Sequence, residues 1–169
     1  MQGRDFIAVA MFAAGSVWGC QIAHAQESVK LIGDFRFGPE GTASDVDFTV
    51  KKDARLSGLQ PEMLAALPVI RAAAHACGIK GPVPVTSGDE KKPGLHTKGS
   101  AHYLDPGGAL DFRTKFLPQA QADCWEKRLK EQLPADQFWI DLENEGADDE
   151  HLHVGLSKKA RAKFLASVR

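Results

Sequence analysis

Apolar residues recur at helical spacing between Pro61 and Gly78, where Met63, Leu64, Leu67, Ile70, Ala74 and Cys77 share one stripe. Gln60-Pro61-Glu62 opens that helix, with proline in the first turn and an acid at the positive end of the dipole, and Gly78 ends it. Pro68 falls inside the pattern and predicts a kink or a late start to the regular part. A second stripe, Cys124, Trp125, Leu129 and Leu133, predicts a helix over 119–133 that turns Lys127, Arg128, Lys130 and Glu131 to solvent. Ser157 caps a terminal helix carrying Ala160, Phe164, Leu165 and Val168.

Other stretches follow a period of two or are short apolar runs. Val46, Phe48 and Val50 alternate in an otherwise polar segment and predict a strand or an arm packed on the core. Strands are also predicted over 109–113, 138–142 and 151–156, with an acidic turn over 144–149. Val83-Pro84-Val85-Thr86 reads as a short strand placed at an edge by its prolines. The Gly- and Lys-rich segment 87–99 has no apolar period and reads as a loop. Helices and short strands interleave without a βαβ rhythm. The expected class is therefore α+β, with a small, largely antiparallel sheet packed with helices.

Composition narrows this little. The 169 residues suit one domain, and 43% hydrophobic with 25% charged residues is an ordinary globular balance. A net charge of −1 speaks against nucleic acid or an anionic membrane surface as a partner. The N-terminus changes the picture more. Arg4 precedes an apolar stretch from Phe6 to Cys20, and Ala23-His24-Ala25 offers small residues at the positions a signal peptidase reads. Residues 1–25 are expected to be a signal peptide cut before Gln26, and 26–169 a single exported domain, periplasmic or secreted. The apolar run is too short for a stable membrane span of about 20 residues. Val17-Trp18-Gly19-Cys20 loosely resembles a lipoprotein box, but its bulky tryptophan argues against lipid anchoring. After cleavage Cys77 and Cys124 remain, where either a disulfide or two buried thiols is compatible with the spacing.

Five histidines remain after cleavage: His75, His96, His102, His151 and His153. His75 lies among helix alanines and reads as an ordinary helix residue. His96 lies in the loop and reads as solvent-facing, with substrate contact as the alternative. Glu150-His151-Leu152-His153 is different, because an HxH in a strand sets both rings on one face. A catalytic zinc site takes three nitrogen or oxygen ligands and keeps one position open. His102, Asp111 and His153 would meet that need. Glu150 and His153 would point to opposite faces of a regular strand, so an irregular start is expected at Glu150 if both serve one site.

The segments Thr86-Ser87-Gly88, Gly99-Ser100-Ala101-His102-Tyr103, Gly108-Ala109-Leu110-Asp111 and Glu150-His151-Leu152-His153-Val154 occur in the order found in a known family. Together they resemble the zinc D-alanyl-D-alanine metallopeptidases. That group includes carboxypeptidases, dipeptidases and phage L-alanyl-D-glutamate endolysins, and shares its fold with the hedgehog signalling domain. The resemblance spans roughly residues 56–156. It implies one zinc per chain on His102, Asp111 and His153, Glu150 as general base toward a metal-activated water, and Ser100 near the substrate. His151 is expected at the rim or on the substrate. The family aspartate follows its histidine by seven residues, whereas Asp111 follows His102 by nine, with Leu104-Asp105-Pro106-Gly107 taking up the difference. Asp105 thereby becomes a rival ligand. No arginine follows Ser87-Gly88 as in many members, and Lys91, Lys92 or Lys98 is the available replacement. The expected function is hydrolysis of a peptide bond in peptidoglycan or muropeptide stem peptides by a monomer. The alternative is an inactive zinc-binding or peptidoglycan-recognition module on the same fold.

Overall fold

A computed structural model of the chain describes residues 30–32, 35–39, 46–56, 58–90, 96 and 99–167. The expected signal peptide with its cleavage site, Cys20, and Lys91, Lys92 and Lys98 lie outside the described residues. The elements in order are β1 (Lys30–Ile32), β2 (Phe35–Pro39), β3 (Phe48–Val50), α1 (Pro61–Ala76), β4 (Val83–Ser87), a 3₁₀ turn (Ala101–Tyr103), β5 (Ala109–Arg113), α2 (Gln119–Gln132), β6 (Phe138–Glu143), β7 (His151–Leu156) and α3 (Lys158–Ser167). The seven strands form one sheet in the order β1-β2-β3-β4-β5-β7-β6. Pairings β2–β3 and β3–β4 are parallel and the other four antiparallel. The class is α+β with a largely antiparallel sheet, as the alternation along the chain implied.

Alternation decides which way each strand faces. Leu110 and Phe112 of β5, Leu152 and Val154 of β7, and Ile140 and Leu142 of β6 are buried in one core with Met63, Leu67 and Ile70 of α1 and Trp125 and Leu129 of α2. Phe112 packs between Phe48 and Trp125, at ring separations of 6.2 and 5.5 Å. The Trp125 indole N–H donates to the Ile70 carbonyl at 3.1 Å, so the one polar atom of that buried ring is satisfied and ties α2 to α1. Cys77, which caps α1, is bonded to Cys124 of α2 with 5.8 Å between Cα atoms, which decides between the two readings of these cysteines.

Two expectations are corrected. Pro68 does not delay the first helix: α1 starts at Pro61 and runs to Ala76. Pro68 is exposed, on the side where water can take the carbonyl that loses its donor. The proline-rich strand is not at an edge either, since β4 lies between β3 and β5. Val83 and Val85 make the main-chain bonds to the β3 side, through Asp47 and Lys51. Pro84 is in register with Thr49 of β3 but is not a registered partner in the β4–β5 ladder, which pairs Val85 and Ser87, so its missing N–H interrupts no pair on that side.

Candidate metal centre

The face of β5, β7 and β6 opposite the core carries three rows across the strands. Strand register puts Ala109 beside Gly155 and Trp139, Asp111 beside His153 and Asp141, and Arg113 beside His151 and Glu143. Ser87 of β4 is opposite Asp111. Alternation that buries Leu110, Phe112, Leu152 and Val154 on one side thus presents acids and imidazoles on the other.

His102 reaches this face from the 3₁₀ turn. Ser100 caps that turn and its hydroxyl accepts the His102 N–H at 3.4 Å, so Ser100 positions the histidine. The His102 ring is fully buried, and Nδ1 donates to the Gly88 carbonyl at 2.7 Å, which leaves Nε2 as the atom facing the cluster. Nε2 is 3.2 Å from Asp111 Oδ1 and 3.4 Å from His153 Nδ1, and Asp111 Oδ1 is 2.8 Å from His153 Nδ1. Three ligand atoms around a tetrahedral ion with bonds of 2.0–2.1 Å stand about 3.3 Å apart. The donor set and its spacing fit such an ion. Asp105 is exposed and precedes a cis proline, outside this cluster.

His96 joins the group, contrary to the solvent-facing expectation. Its ring stacks on His102 at 4.0 Å with 9° between planes, and Nε2 lies 3.7 Å from Asp111 Oδ2. His96, His102 and Asp111 offer ligand atoms all within 4.8 Å of one another, a group able to hold a metal ion. The physical reason for the inward placement is a ready set of partners. His96 Nε2 is 3.0 Å from Ser87 Oγ, whose own proton goes to Glu90 at 2.7 Å, and the His96 main-chain N–H and carbonyl both bond Tyr103 Oη. Because Ser87 donates to Glu90, its oxygen accepts from His96 Nε2–H.

Burial would push the Asp111 carboxyl up, but hydrogen bonds and charges from His102 and His153 overcome this and hold it well below the usual carboxylate range. At His102 burial opposes the charged ring, yet the Asp111 hydrogen bond and charge, with Gly88 and Glu90, raise its pKa. His96 is lowered, by burial first and by the neighbouring His102 second. The carboxylate stays anionic at the centre of the rings, the state a metal ligand needs.

Glu150 precedes β7, and the chain turns there through its N–H to the Ala147 carbonyl, so the irregular start is present. Its carboxylate is buried. Oε1 accepts from the Thr114 hydroxyl at 2.9 Å and Oε2 from the Gly146 N–H at 2.7 Å. Glu150, Asp111, His96, His151 and Ser87 line one cavity of about 410 Å³. His151 donates from Nδ1 to the Asp149 carbonyl at 2.7 Å, leaving Nε2 without a hydrogen-bond partner among the described residues, 3.8 Å from Asp111 Oδ2 and 3.4 Å from Glu143.

Sequence reasoning missed Thr114, the Gly146 amide and Gly155. A Cβ at Gly155 would stand 2.6 Å from His153 Nε2 and 3.0 Å from the Ala109 Cβ, so glycine makes room for the His153 ring. A glycine two residues beyond a candidate ligand in a strand is a usable signal, since it lies on the same face. No family model, curated protein or solved structure matches the chain.

Proposed function

We propose that the chain is an exported zinc peptidase that hydrolyses a peptide bond in peptidoglycan stem peptides. The observation that carries this reading is the triangle of His102 Nε2, Asp111 Oδ1 and His153 Nδ1, with sides of 2.8, 3.2 and 3.4 Å. His102, Asp111 and His153 would hold the ion through two imidazoles and one carboxylate, the donor set of catalytic zinc sites. Zinc held there would supply Lewis-acid chemistry, polarising a carbonyl and lowering the pKa of water toward neutrality.

The chain's own residues do the rest. The Gly88 carbonyl orients His102 so that its Nε2 lone pair points inward. Glu150 takes the proton of the attacking water and returns it to the leaving amine. Thr114 and Gly146 hold its carboxylate in one orientation. His151, whose Nε2 lies 3.8 Å from Asp111 Oδ2, belongs to the rim of the site. Peptidoglycan as substrate rests on the ordered motifs shared with the zinc D-alanyl-D-alanine metallopeptidases and on the signal-like N-terminus. The Cys77–Cys124 disulfide supports an oxidising, extracytoplasmic destination. Among the described residues no helix is long and apolar enough to cross a membrane.

One observation favours an inactive recognition module: both Glu150 oxygens already accept a hydrogen bond. Each keeps a further lone pair, so proton transfer stays open. The test is mass spectrometry of purified muropeptides incubated with zinc-loaded wild type and with Glu150→Gln. New peptide termini with the wild type alone are expected. Binding without cleavage by the wild type would establish the module instead.

A further inference from the structure

Trp139 is the outward residue of β6 in the row beside the metal cluster. Its neighbours Phe138 and Ile140 are buried, yet its indole is 48% exposed. The ring centroid lies 5.0 Å from that of His153, at 51°. Gly155 and Ala109, which complete its row, are too small to cover it. The same indole walls a groove of about 600 Å³ whose polar lining is Asp136, Ser157, Lys158, Lys159 and Arg161. One aromatic ring therefore forms the boundary between the metal cluster and a second concave surface.

The groove carries an uncommitted positive charge. Lys159 is 3.7 Å from Asp136 and accounts for that carboxylate. The Lys158 ammonium has no partner among the described residues. Arg161 Nη1 donates to the Gly99 carbonyl, and its buried Nε has no acceptor among the described residues. Arg161 nonetheless lines the groove, so its guanidinium charge adds to that of Lys158 there.

Pairing of an extended peptide along β6 is obstructed, although β6 is the outer strand of the sheet. The Leu142 N–H is taken by Glu126 Oε1 at 2.9 Å, and the Phe138 N–H by the Pro134 carbonyl at 2.8 Å. What stays available is a flat indole with cations beside it, since the Ser157 hydroxyl already donates to the Asp136 carbonyl and accepts from the Ala160 N–H. A pyranose ring matches that surface, because its C–H face meets the electron-rich ring while its edges hydrogen-bond.

We propose that Trp139, Lys158 and Arg161 form a subsite for a sugar linked to a carboxylate-bearing chain. The sugar stacks on Trp139 and the carboxylate pairs with Lys158 and Arg161. This rests on the peptidase reading for the source of such a substrate, a stem peptide still joined to its saccharide.

The test is calorimetric titration of the zinc-loaded Glu150→Gln protein with three probes: a disaccharide-linked stem peptide, the same peptide freed of sugar, and the disaccharide alone. Trp139→Ala should weaken the sugar-linked peptide about tenfold, the scale of one aromatic stacking contact, and leave the free peptide unchanged. Trp139→Phe should keep most of the affinity, and Lys158→Ala should weaken both peptide-bearing probes. Equal losses on the linked and free peptides, or loss of zinc from Trp139→Ala, would show that the indole only supports His153 and overturn the subsite. So would a Lys158→Ala protein that binds all three probes normally. Cleavage assays on the wild type keep the two readings apart. A sugar-dependent Trp139 effect without cleavage removes the peptidase and keeps the subsite, and cleavage without any preference for the sugar-linked probe does the reverse.

Discussion

The two faces of β5, β7 and β6 are written by the same three strands and could hardly differ more. One face holds Leu110, Phe112, Leu152, Val154, Ile140 and Leu142, packed against Trp125 and α1. The other holds Asp111, His153, His151, Arg113, Asp141 and Glu143 in register. On the first face neighbours are interchangeable in kind, since any apolar side chain of the right volume fills the space. On the second they are not, because a metal ion needs specific donor atoms a few tenths of an ångström from their places. The difference teaches that the core sets the register and the register sets the site.

The strongest way to break the site face is to remove a proposed ligand. Asp111→Asn or His153→Ala should lose most bound zinc in a chelating-dye competition, with circular dichroism unchanged. Retention of stoichiometric zinc by Asp111→Asn would end the ligand assignment. The matching cut on the core face is Phe112→Ala, which should cost about 3–5 kcal/mol in denaturant unfolding. Its remaining folded molecules should still bind zinc, which separates packing from ligation. Glu150→Gln sharpens the contrast within the site: at least about 10²-fold loss of turnover is expected, with zinc affinity unchanged. Near-normal turnover would move the base elsewhere.

Gly155→Ala probes the room that the site face keeps for the His153 ring. Its new Cβ would press on the His153 ring, and zinc affinity should fall about 10–100-fold, the scale seen when a ligand is misoriented. The smallest effect belongs to Asp105→Asn. Asp105 is exposed and stands outside the cluster, so zinc binding should match the wild type within error. Loss of metal there, with retention in Asp111→Asn, would exchange the two assignments.

Much of this arrangement was legible residue by residue. The alternation 151–156 predicted β7 and set His151 and His153 on one face, and 109–113 predicted β5 with Asp111 turned away from Leu110 and Phe112. The opposite-face conflict between Glu150 and His153 correctly required a turn before the strand. His96 was not legible, because it sits in a segment without apolar period. Its place depends on Ser87, Glu90 and Tyr103, which only the folded chain gathers. Thr114 and Gly146 carry no pattern that marks them as holders of Glu150.

The local periods of two and 3.6 are properties of consecutive residues, so the sequence by itself determined the three helices, the strands bearing the site and the sidedness of their residues. Strand order, the interior place of β4, the Cys77–Cys124 bond and the 3.2 Å between His102 and Asp111 were decided only by tertiary structure. The reason is physical: each joins segments separated along the chain, and their distance depends on how the whole core packs rather than on any one segment's pattern.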